Sequence, residues 1–138
     1  MTNRLEKTAL LVSGLTAAGI GIAINANPFG FLASYGVTLE DNASLLSELR
    51  APAAGLVAFG AVMLAGLWRP AIAPISKAMA LCVFLAFPVG RLIGWTIDGV
   101  PSGAIIGALV VEIAIAALCL VAFARTPGKI PSHNHPQH

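Results

Sequence analysis

The chain has 138 residues, of which 57% are hydrophobic and only 10% are charged, and its mean hydropathy is +0.86. Soluble domains carry about 25% charged residues, so the composition points to a bilayer rather than water as the solvent, and the length leaves room for one compact domain. A net charge of +2, with no basic stripe on one amphipathic face, argues against nucleic acid as a partner.

A helix that crosses a membrane needs about 20 mostly apolar residues. The first segment to qualify is 8–24, "TALLVSGLTAAGIGIAI". Its basic approach, Arg4 and Lys7, also fits the opening of a signal peptide, but the sequence beyond it is again apolar, so we read it as a span. "NANPFG" ends it, because Pro28 has no N–H to continue the ladder and Gly30 tolerates unusual dihedrals. Residues 25–44 form the one long connection, and the apolar, aromatic "PFGFLASYG" predicts a short interfacial helix at the headgroup level. Asn42 or Ser44 then serves as N-cap of the second span, 45–68.

"WRP" closes the second span with a cation where the helix dipole favours one. The third span is 72–97, with Pro74 in its first turn, and the fourth is 102–124. "DGVPSG" between them is a turn, in which Asp98-Gly99 takes the bend and Pro101-Ser102 starts the next helix. Pro52 and Pro88 fall inside spans and should bend them, which bilayer proteins tolerate when neighbours satisfy the freed carbonyls. No internal repeat is visible. The predicted fold is all-α: a four-helix transmembrane bundle with a short interfacial helix between the first and second spans. The expected organisation is a cytoplasmic N-terminus at 1–7, a transmembrane domain at 8–125 and a disordered cytoplasmic tail at 126–138.

The charges orient this bundle. With the N-terminus in the cytoplasm, Arg4, Lys7, Arg69, Lys77, Arg125 and Lys129 all fall on the cytoplasmic side, as the positive-inside rule requires. Glu40, Asp41, Glu48 and Asp98 fall on the other. The expected location is a bacterial inner membrane, with both termini cytoplasmic.

Arg50, Arg91 and Glu112 remain. Arg50 begins the second span near the outer interface. Arg91 precedes Asp98 by seven residues and so lies about 10 Å below the outer end, whereas Glu112 lies about 15 Å deep, near the midplane. A bare carboxylate there would protonate or find a cation. The third and fourth spans share a tight turn and should pack antiparallel, which brings Arg91 and Glu112 within about one helical turn of each other in depth. We therefore expect Arg91 to reach Glu112, with Arg50 in the same outer half and Asp98 able to share the guanidinium. Glu48 and Arg50 are two positions apart and share no face, so Glu48 reads as a helix-start anion. Gly90/Gly94 and Gly103/Gly107 each form GxxxG, which predicts close backbone approach between these two spans.

The bland alternatives are specific. The Arg91–Glu112 pair could serve only to fix helix register, and Arg50 could snorkel to phosphate headgroups. Trp68, Trp95 and Tyr35 fit an aromatic belt. Cys82 and Cys119 lie in apolar runs, without CxxC spacing, and read as buried small hydrophobes. His133, His135 and His138 belong to the tail and predict no metal site. No P-loop, HExxH or nucleophile elbow is present, and no cofactor is expected.

"SELRAPAAG" at 47–55, "GRLIGWTIDGVPS" at 90–102, "VVEI" at 110–113 and the upstream "NPFGFLASYGV" resemble one family of small bacterial four-helix membrane proteins. This is the domain-of-unknown-function 4345 family, loosely akin to DoxX-like proteins. The resemblance covers most of residues 8–125. It implies that Glu48, Arg50, Arg91, Asp98 and Glu112 are family-type positions. Where relatives often carry paired glycines after E-x-R-A, this chain has "PAAG". The resemblance implies fold and site more than activity.

The expected function is a non-enzymatic membrane module that binds a lipid or other small amphiphile, or an accessory subunit. Arg91 and Arg50 would hold an anionic head group, and Glu112 would orient Arg91 or compete with the ligand. The rival is a membrane enzyme with Glu112 or Asp98 as general acid on a hydrophobic substrate. Proton-coupled transport by an oligomer is a third possibility. Membrane lipids, a second copy of the chain or another membrane protein are the expected partners.

Overall fold

The computed structural model describes residues 3–124, so the expectations for the tail, including Arg125, Lys129 and the three histidines, lie outside the described residues. The described residues form helices and no strands: α1 (Arg4–Ala26), α2 (Pro28–Ala33), α3 (Ala43–Ala65), α4 (Ala73–Asp98) and α5 (Gly103–Ala124), with a 3₁₀ turn at Pro70–Ile72 leading into α4. α1, α3, α5 and the run Pro70–Asp98 are each long and apolar enough to cross a membrane.

Local chemistry sets the ends of these helices. Asn3 Oδ1 accepts from the Leu5 N–H at 2.8 Å, so α1 begins at Arg4, earlier than the apolar run alone suggests. Asn27 works at two ends: its N–H donates to the Ala23 carbonyl at the close of α1, and its Oδ1 accepts from the Gly30 N–H at the start of α2. Pro28 sits at the first position of α2, where no N–H is needed. Asn42 is the cap of α3, accepting from Ser44 at 2.9 Å and Leu45 at 3.2 Å. α3 stops at Ala65, before Trp68, which is 74% exposed in the adjoining turn. Gly99, with φ of +101°, makes the bend between α4 and α5 in a region that favours glycine.

α1 and α3 form the most extensive helix–helix contact. Glycines allow it. A Cβ on Gly60 would lie 2.6 Å from both the Ala18 nitrogen and the Gly14 carbonyl oxygen, and one on Gly14 would lie 2.7 Å from Leu64 Cγ. Gly66 makes room for Ser76, whose hydroxyl donates to the Val62 carbonyl at 2.7 Å and ties the start of α4 to the end of α3. The buried core runs through Leu10, Ala17, Met63, Ala80, Phe84 and Cys119. At most 33% of any spanning window is buried, and large apolar side chains such as Leu15, Ile22, Ile75 and Val110 point outward. That outer surface suits acyl chains; on a water-soluble monomer it would be an oversized apolar patch.

Two expectations fail. Gly90, Gly94, Gly103 and Gly107 do not seal α4 against α5: a Cβ on Gly90, Gly103 or Gly107 meets nothing within 4 Å, and on Gly94 only Asp98 of the same helix. The seam between α4 and α5 is spanned by long side chains, and there small residues leave space instead of closing it. Cys82 is exposed on the outer face of α4, not buried; Cys119 is buried.

Gly60→Ala should therefore lower the stability of the bundle by about 1–3 kcal/mol, through overpacking against α1. Gly90→Ala should leave stability unchanged or raise it, since the space is open and alanine favours the helix. Thermal unfolding in detergent, followed by circular dichroism, separates the two.

Candidate functional site

Each inward charge lies on the buried stripe of its helix. On α5 that stripe includes Leu109, Glu112, Ala116 and Cys119, with Glu112 only 6% exposed. On α4, Arg91 is two turns beyond Phe84 on the same face. Because Cα–Cβ bonds tilt toward a helix N-terminus, Arg91 leans deeper into the bundle, while Glu112, on an antiparallel neighbour, leans back toward the α4–α5 turn. The two meet. Arg91 Nε donates to Glu112 Oε2 at 2.9 Å and to Oε1 at 3.1 Å, and Nη2 donates to Oε1 at 2.9 Å. This side-on fork engages both carboxylate oxygens. The same tilt carries Arg91 away from Asp98, which is exposed at the end of α4 and makes no ion pair with it.

The pair opens onto a cavity of about 480 Å³ between α1, α4 and α5. Ile20, Phe84, Phe87 and Val111 give it apolar walls, and Ala104, Gly107 and Ala108 contribute its width by being small. Phe31, Leu32 and Tyr35, from α2 and the turn after it, cover one end. The Phe31 and Tyr35 rings pack at 5.2 Å, and Ser102 Oγ donates to the Tyr35 carbonyl at 2.7 Å, fastening this cover to the start of α5. Arg91 and Glu112 are the charged groups in the lining; Thr16 and Tyr35 supply hydroxyls. Arg91 Nη1 donates to no described residue, and the Arg91 side chain is 29% exposed.

Arg50 is elsewhere. Its Nη1 donates to the carbonyl of Asn25 in the last turn of α1, where a cation is favoured by the unpaired carbonyls and the dipole. It lines an open groove with Asn25, Leu46 and Ser47, apart from the cavity. Glu48 is exposed on α3 and joins neither site. Of the five sequence-selected residues, the structure brings together Arg91 and Glu112.

A second inward pair lies outside the sequence-based expectations. Glu6, 1% exposed, meets Lys77 Nζ at 2.8 Å, and Lys77 also lies 5.7 Å over the Phe123 ring. Sequence reasoning places Lys77 among the cytoplasmic surface charges and does not single out Glu6. Glu6 falls on the same α1 stripe as Leu10, Ser13 and Ala17, and that spacing marks it as inward-facing. Among the described residues no cluster of metal-ligating side chains occurs.

Four apolar helices of spanning length, with charges paired between them, define a multi-pass membrane class of protein. Within that class, the chain belongs to the family described as Domain of unknown function (DUF4345), whose profile matches residues 5–123. No curated protein and no solved structure matches it.

Arg91→Leu should cost about 3–5 kcal/mol, because it strands a buried Glu112 without its cation. The double variant Arg91→Leu/Glu112→Leu should recover most of that loss. Chemical unfolding in detergent of the wild type, both single variants and the double variant gives the coupling directly.

Proposed function

We propose that this protein is an inner-membrane module that binds one lipid-like amphiphile, with the tail in the α1–α4–α5 cavity and the head at Arg91. The carrying observation is the cavity itself. Its volume of about 480 Å³ lies in the ordinary range for small-molecule sites, its walls are apolar, and its two charged lining residues, Arg91 and Glu112, stand side by side as a hydrogen-bonded pair. Arg91 contributes hydrogen-bond donors that Glu112 does not use, and Glu112 fixes the plane in which they are presented.

An acid catalyst is less well supported. Both Glu112 oxygens already accept from Arg91, and Asp98 is absent from the cavity lining. The charge pattern supports cytoplasmic termini: Arg4, Lys7, Arg69 and Lys77 cluster at one end of the spans. In this orientation α2 lies at the outer interface, with Tyr35 and Trp95 at headgroup level.

Native mass spectrometry after gentle extraction should find the wild-type chain carrying an amphiphile. Ala108→Trp, which fills the cavity, should lose that mass while the helical circular dichroism signal stays that of the folded wild type; a wild type without bound mass would sink the reading. Separately, a reporter active only outside the cytoplasm should work when fused after Gly99 and fail when fused ahead of Arg4.

A further inference from the structure

We infer that the amphiphile at Arg91 carries a neutral head group with an oxygen acceptor, such as a carbonyl, rather than an anionic one. This deepens the amphiphile-binding reading and rests on it.

The argument is one of charge. Depth along the sequence suggests two arginines, Arg50 and Arg91, converging on an anion. Arg50 instead closes the end of α1 and is outside the cavity lining. Arg91 is already neutralised by a carboxylate that holds it through three hydrogen bonds. Glu112 is 6% exposed, so little solvent screens it, and the other lining residues carry no charge. The site as a whole is electroneutral. An anion placed on the free edge of the guanidinium would feel the Glu112 carboxylate just across it in a poorly screened setting. A carbonyl oxygen, with only a partial charge, would feel much less of that repulsion.

The free edge suits such an acceptor. Nη1 has two N–H groups and Nη2 has one more beyond that given to Glu112, and no described residue accepts from Nη1. These donors can only be answered by an acceptor. Thr16 and Tyr35 add hydroxyls to the same lining for a second polar atom. Glu112 thus acts as a positioning and charge-cancelling residue, setting which head group is accepted.

The test uses the full chain in nanodiscs, with two probes of matched tail: methyl dodecyl ketone, which is neutral, and dodecanesulfonate, which stays ionised. Retention is measured over empty nanodiscs. The wild type should prefer the ketone by roughly tenfold or more. Glu112→Gln should turn the preference toward the sulfonate, since Arg91 then presents an uncancelled charge. If the wild type prefers the sulfonate, the neutral-head inference is overturned while the amphiphile site stands. If it retains neither probe above background, both fall. A folded Glu112→Gln that keeps the wild-type preference also overturns the inference. Should that variant fail to fold, the wild-type comparison decides alone.

Discussion

A charge among apolar helices has to be cancelled where it stands, and that constraint organises this bundle. A lone guanidinium or carboxylate loses most of its solvation in such a setting, so each needs a partner on a neighbouring helix at a matching depth. Arg91 and Glu112 satisfy this across the α4–α5 seam, and Lys77 and Glu6 across the α1–α4 seam near the opposite end. The α4–α5 turn at Gly99 is short enough to fix the register of its helices, and the fork between Arg91 and Glu112 fixes it a second time from within. Sliding α4 past α5 by one turn would separate these charges and leave the buried Glu112 without its cation.

The two halves of the bundle solve packing in opposite ways. Between α1 and α3, glycine lets backbones touch: Gly60 lies against Ala18 and Gly14 with no room for a methyl group. Between α4 and α5, Arg91 and Glu112 bridge the seam, and Gly107, Ala104 and Ala108 line the cavity without filling it. The same residue type therefore produces contact in one seam and a void in the other.

Depth along a span was legible in the sequence; direction around the helix was less so. Counting residues from the "DGVPSG" turn put Arg91 and Glu112 within reach of each other, and the contact is present. Caps at Asn42 and the break at Pro28 were equally readable, because they depend on a few neighbouring atoms. Arg50 shows the limit: counting residues gives its position along α3 but not its azimuth, and its side chain turns to the carbonyl of Asn25. The GxxxG pairs misled for a related reason, since spacing puts Gly90 and Gly94 on one face without saying what that face meets. Glu6 carries the period of the α1 core stripe, a signal that its charged neighbours obscure. It sits early in the chain beside Arg4 and Lys7, and a charged terminus is easily taken for a solvated one.

These two kinds of information bear differently on function. A count of charges at similar depth, two arginines against one glutamate, describes a cationic pocket. Once direction is known, one arginine leaves for the carbonyl of Asn25 and the pocket becomes neutral, although no residue has changed. Charge selectivity in a membrane site thus depends on which way a few long side chains turn. A guanidinium is suited to this, since it can give one edge to a carboxylate and keep another for a guest. Lysine at position 91 would keep the charge and lose the fork, and with it the fixed plane of the guanidinium. The arginine matters there for its shape as much as for its charge.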